Sequence, residues 1–171
     1  MIFVNSMSDL FHECMPIEFI KKVFSVMNNC QHHTFQILTK RAQILYKYYT
    51  LLDWTPNIWM GVTVENAQVM NRIDFLRKIP AYIKFLSLEP LLSSLPSMNL
   101  QGIDWIIVGG ESGPKSRLIK KEWVLDVQRQ CTEANIAFFF KQWGGRNKKI
   151  TGKALGGKIF NQMPQPYSFS R

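Results

Sequence analysis

Trp105-Ile106-Ile107-Val108-Gly109-Gly110-Glu111-Ser112 is an apolar run that stops on two glycines and turns polar. A near-continuous apolar run of this length reads as a strand buried on both faces. The same grammar recurs outward in both directions, in Phe85-Leu86-Ser87-Leu88-Glu89-Pro90, Trp59-Met60-Gly61-Val62-Thr63-Val64-Glu65, Phe35-Gln36-Ile37-Leu38-Thr39-Lys40, Ile2-Phe3-Val4-Asn5-Ser6 and Phe138-Phe139-Phe140-Lys141-Gln142-Trp143. Strands that alternate with helix-like stretches predict a parallel sheet. In such sheets ligands sit at the carboxyl ends of the strands. Here those ends carry Asp9, His12, Lys40, Glu65, Glu89, Glu111 and Lys141.

The intervening segments supply the helices. Ile17, Ile20, Val23, Phe24 and Met27 recur at helical spacing behind Pro16, which predicts a helix from Pro16 to Asn29. Further helices are expected over Arg41–Leu52, Ala67–Arg77 and Lys121–Ala134, whereas Leu91–Gln101, behind Pro90, reads as loop. Residues 1–145 then make six βα units, and residues 146–171 a basic, loop-like tail of the same domain, with Ile159-Phe160 as its docking point. A closed parallel barrel has eight units. Six predict an incomplete α/β barrel-like sheet with strands one and six as open edges. An open doubly wound sheet is the alternative.

Composition narrows the function classes. The 171 residues are 46% hydrophobic and 19% charged, enough for one domain with a real core. No apolar run reaches the ~18 residues of a membrane helix, so no membrane partner is expected. Met1 leads straight into a strand-like run, so no signal peptide is expected. Three cysteines suggest reduced thiols and a cytoplasmic setting. The net charge of +9 includes Arg146, Lys148, Lys149, Lys153 and Lys158 of the tail. That balance suits either a nucleic-acid or nucleotide partner or a merely solvated basic surface.

Several strand ends carry candidate chemistry. Asn5, Ser6 and Asp9 can line a pocket, with His12 placed for acid–base work; equally, Asp9 can cap a short turn. Lys40 and Arg41 stand at a predicted helix start, where cations oppose the dipole, which suggests an anionic ligand or a carboxylate neighbour. Glu65, Glu89 and Glu111 can bind a hard cation or take the amine and hydroxyls of a ligand, or pair with Lys40, Arg72, Arg117 or Lys141. The glycines before Glu111 and Ser112 permit close backbone approach but match no phosphate-loop spacing. Lys141, Gln142 and Trp143 combine a cation, an amide and an aromatic ring. Trp143 serves either as a base-stacking platform or as packing over the rim. Cys14, Cys30 and Cys131 have no zinc or iron–sulfur spacing, and no metal site is expected.

Taken in order, Phe3 to His12, Gln36 to Arg41, Gly61 to Glu65, Leu88 to Leu91, Trp105 to Gly113 and Phe138 to Gly144 closely resemble an uncharacterised phage and bacterial family labelled phage gp thirty-seven / gp sixty-eight. The resemblance runs from Ile2 to about Pro164 and includes Leu155-Gly156-Gly157-Lys158. It implies a TIM-barrel-like, radical-SAM-type fold. In full-length relatives an upstream cysteine cluster would hold a [4Fe–4S] cluster and help bind S-adenosylmethionine; neither cofactor is expected in this chain. Three functional readings follow. The first is a truncated radical-SAM-like barrel, not catalytic alone, that needs its missing N-terminal half or self-associates. The second is a non-catalytic nucleotide or nucleic-acid binding module. The third is a cluster-free enzyme using the rim carboxylates and Lys141.

Overall fold

The computed structural model describes residues 1–5, 7–146 and 151–166. Six strands, β1 (Ile2–Val4), β2 (Phe35–Thr39), β3 (Ile58–Thr63), β4 (Ile83–Leu88), β5 (Trp105–Gly109) and β6 (Ala137–Gln142), form one sheet in chain order. Every neighbouring pair is parallel, and the sheet curls into a half-barrel. All six strand ends therefore meet one rim. The unbroken order excludes a doubly wound arrangement, in which strand order reverses at a switch point.

Alternate residues divide the sheet into two faces. Ile37, Met60, Val62, Leu86, Ile106, Val108 and Phe140 point outward into one large core. The helices bury their apolar stripes there: Ile20, Phe24 and Met27 from α1 (Ile17–Asn29), Ala42 and Leu45 from α2 (Ala42–Tyr48), Ile73 and Leu76 from α3 (Asn71–Arg77), and Val124, Val127 and Cys131 from α4 (Lys121–Glu133). Trp59, Ile83, Phe85 and Trp105 form a separate cluster on the concave face, bordered by Leu38, Ile107 and Phe139. Gly61 lies in register with Phe85, and a Cβ at position 61 would overlap the Phe85 ring.

The four expected helices are present, two of them shorter than expected. Segment 67–77 begins as a 3-10 turn at Ala67–Val69, where Asn66 Oδ1 accepts the Gln68 N–H at 2.9 Å, and only then becomes α3. Segment 41–52 ends as a 3-10 turn at Tyr49–Leu51. Among the described residues no helix joins β4 to β5. The loop there buries Leu91, Leu95, Met98, Leu100 and Ile103 instead. Buried Gln130 of α4 tethers it, accepting the Met98 N–H at 2.9 Å and donating to the Leu95 carbonyl at 3.3 Å.

The tail is a correction to the loop-like reading. Ala154–Leu155 (β7) and Lys158–Ile159 (β8) form an antiparallel hairpin. Beyond it the chain lies along the outer edge of β6. Phe140 N–H donates to the Phe160 carbonyl at 2.9 Å, and Gln162 N–H to the Phe138 carbonyl at 3.2 Å. Phe160 packs edge-on against Phe138, while Ile159 stays exposed. Strand six is therefore not an open edge. The physical reason is local: extended backbone supplies the missing ladder bonds without needing an apolar run of its own. Among the described residues, β1 pairs only with β2. Lys148 and Lys149 lie outside the described residues.

The concave aromatic cluster makes a sharp expectation. Gly61→Ala should destabilise the fold by about 1–3 kcal/mol, the usual range for overpacking a filled core. An unchanged denaturant midpoint would mean that Phe85 moves aside freely.

Candidate functional site at the carboxyl rim

The rim side chains are set by where each strand stops. β2 ends on buried Thr39, and Asp9 reaches it from the β1–α1 loop. Asp9 Oδ1 accepts from Thr39 Oγ1 at 2.7 Å and from the Phe11 N–H at 3.0 Å. Its Oδ2 accepts from the Lys40 N–H at 3.1 Å and from Arg41 Nη1 at 3.0 Å. Four donors leave Asp9 little capacity for a ligand. It clamps the first loop onto β2 and caps a turn at the same time. Arg41 also holds exposed Glu13 at 3.1 Å. His12 is half exposed; its Nε2 lies 3.5 Å from Glu13, and its Nδ1 accepts the Cys14 N–H at 3.2 Å.

Glu65 and Glu89 leave neighbouring strands on the same face, two residues beyond the register pair Thr63–Ser87. Arg72 holds Glu65 at 2.9 Å and also donates to the Thr63 carbonyl at 2.8 Å; Lys40 approaches the other Glu65 oxygen at 3.4 Å. Glu89 accepts from Lys141 Nζ at 2.9 Å and from Gln142 Nε2 at 3.2 Å. Gln142 Nε2 lies 3.1 Å from Ser112 Oγ as well. Lys40 and Lys141 keep about half their side-chain surface in water (50% and 52%), whereas Arg72 keeps 19%. The lysine contacts are therefore the loosely held ones, since exposed pairs contribute only ~0–1 kcal/mol.

Glu111 is differently placed. Arg117 donates to it from Nε at 2.9 Å, from Nη2 at 2.8 Å and from its backbone N–H at 2.8 Å. The Arg117 side chain first, and its backbone N–H second, hold the Glu111 carboxyl down at about 2. Trp143 packs edge-on against Phe140 and donates Nε1–H to the Ala154 carbonyl at 2.9 Å. It thus secures the tail hairpin over the rim.

A cavity of about 540 Å³ opens on the concave face beside β1, lined by Phe3, Asn5, Asp9, His12, Leu38, Lys40 and Thr63. Asn5 adopts a left-handed backbone (φ 60°), a conformation asparagine tolerates better than most residues. A second cavity, about 650 Å³, lies between α2 and α3 and shares Lys40 with the first. A third, about 720 Å³, opens at the opposite rim near Asp104 and Ala137, away from the converging charges. So Asn5, Asp9, His12 and Lys40 share one cavity, Glu65 joins them through Lys40, and Glu89, Ser112, Lys141 and Gln142 form a neighbouring bonded group. Glu111 faces Arg117 in the loop after β5. Ser6 lies outside the described residues. Thr63 and Ser87, buried on the concave face, were not among the sequence candidates. Their signal was a single hydroxyl inside an otherwise apolar run.

The thiols do not suit a [4Fe–4S] cluster. Cys14 is exposed in the loop after β1, Cys30 follows α1 at the other end of the helix, and Cys131 is buried in α4. Burial pushes the Cys131 thiol up to about 12, so it stays protonated, whereas cluster ligands are thiolates. Among the described residues no group of three or more His, Cys, Asp or Glu side chains converges for a metal ion, and no helix is long and apolar enough to cross a membrane.

A six-stranded parallel half-barrel with a charged rim is the class that fold and site define. A family profile described as "Protein of unknown function (DUF5131)" matches residues 1–164, and the chain belongs to that family. No curated protein and no solved structure matches it.

The Glu111–Arg117 pair has a pH signature. The folded carboxyl titrates near 2 against an ordinary value of 4.5. Its contribution to stability is therefore present above 4.5 and lost as pH falls toward 2. NMR titration should show the Glu111 carboxyl depressed in this way, and Arg117→Ala should return it toward the ordinary range.

Proposed function

We propose that this half-barrel is the ligand-holding side of a radical-SAM-like, TIM-barrel-type protein of the phage gp thirty-seven / gp sixty-eight kind. On this reading it binds a small polar ligand on the concave face under the carboxyl rim and is not catalytic alone. The observation that carries the reading is the loosely paired rim. Lys40 and Lys141 are half exposed and each touches one carboxylate, so a ligand's own anion can take over either lysine, while Glu89 turns to its amine or hydroxyls. Asp9 and Arg72, by contrast, are committed to the scaffold. The chain's thiols fit no cluster of its own, so radical chemistry would need a separate source. Free Cys14, Cys30 and Cys131 suit a reducing, cytoplasmic setting.

Calorimetry with a nucleoside monophosphate as the probe, a small ligand that carries an anion, hydroxyls and an amine, tests this. Lys40→Ala and Glu89→Ala should each weaken binding by more than tenfold, about 1.4 kcal/mol, with the thermal midpoint nearly unchanged. Absent binding by the unaltered chain, or equal loss of binding and thermal stability in both variants, would show that these side chains are structural ion pairs.

A further inference from the structure

We infer that the face built from the β5–α4 loop and the tail hairpin binds the phosphate backbone of nucleic acid. Six cations lie on it: Lys115, Lys120, Lys121, Arg146, Lys153 and Lys158. All six are exposed. Among the described residues none has a carboxylate partner; the one nearby ion pair, Arg117 with Glu111, uses a different cation. Lys120 does lie over the Trp123 ring, 5.4 Å from its centre. Between residues 112 and 121 there is no acidic side chain, and none from Ala134 to the end of the chain. Glu111 and Glu122 are the acids that flank this stretch.

Close backbone contact brings the two basic segments together. Gly113 N–H donates to the Gly145 carbonyl at 3.2 Å, and Gly145 N–H to the Glu111 carbonyl at 2.7 Å. Trp143 N–H donates to the Gly152 carbonyl at 3.1 Å. A Cβ on Gly110 would overlap the Trp143 carbonyl, and one on Gly144 the Glu111 carbonyl. Gly110 and Gly144 thus allow what side chains would prevent: the like-charged loops lie side by side. That arrangement costs the free protein repulsion. At the start of α4, Lys120 and Lys121 also oppose the helix dipole, with no side-chain cap. A polyanion relieves both.

Nucleic acid fits better than a lipid surface. Interfacial membrane binding uses a helix with a continuous apolar face, whereas the exposed apolar residues here, Leu118 and Ile159, sit on separate non-helical elements. Among the described residues the patch offers no free aromatic ring for stacking, because Trp143 is engaged by Ala154 and Phe140 and Lys120 lies over Trp123. Phosphate contact without base contact gives binding that ignores sequence. These residues are distinct from Lys40 and Glu89, so this inference stands or falls independently of the rim ligand.

Fluorescence anisotropy of the full chain with a labelled duplex of mixed sequence tests it. The affinity should fall with salt at a log–log slope between about −3 and −5, as three to six phosphate contacts require. Paired charge reversal at Lys115 and Lys120, or at Lys153 and Lys158, should weaken binding at least tenfold and flatten the slope. The paired Lys→Gln variants should weaken it in the same order if reversal impairs folding. Reversal at Lys21 and Lys22, on α1, should leave it nearly intact. Binding insensitive to the patch variants, equal loss from the α1 variant, or capture by anionic phospholipid vesicles but not by the duplex would overturn the inference.

Discussion

The Phe85 ring lies across Gly61, and much of the architecture depends on that overlap being possible. A curled sheet has a concave side that helices cannot reach, and something must fill it. Trp59, Phe85 and Trp105 fill its lower half, from three neighbouring strands. Phe85 can do so because the residue beside it in the ladder has no side chain. The lower half is thereby occupied, and above it Thr63 and Ser87 share a ladder row with Ile107 and Phe139. Any ligand of the concave face is thereby raised to the rim, where the charges are.

Most of the sheet was legible because apolar runs buried on both faces leave a plain pattern. Strand order, parallel direction and the rim assignment follow from it. What escaped has a physical explanation in each case. The hairpin at Ala154–Ile159 and the β6 cover at Phe160–Gln162 are made by main-chain hydrogen bonds, which leave no hydrophobic period to read. The loop between β4 and β5 was legible, because Pro90 and Pro96 forbid a helix, but the five apolar side chains it buries were not. At the site, the strand ends were correctly placed on one rim. Partner choice was not legible. Nothing in the residue pattern distinguishes Asp9, saturated by four donors, from Glu89, whose contacts are to long side chains.

The rim is a gradient of commitment more than a ring of equal charges. Asp9 with Thr39 and Arg41, and Glu65 with Arg72, join loops to strand ends and keep the first cavity in shape. Lys40 and Lys141 close these groups from the wet side. Glu111 with Arg117 belongs to a third role, folding the loop after β5 back on itself.

The asymmetry between the two sheet edges limits how the molecule can associate. β6 is sealed by the chain's own extended segment, whereas among the described residues β1 pairs only with β2 and exposes Ile2 and Phe3. A sheet open at both ends can grow without limit, each copy offering a fresh edge to the next. The cover on β6 takes away one of the two edges such growth needs, and so acts as a stop against fibre growth.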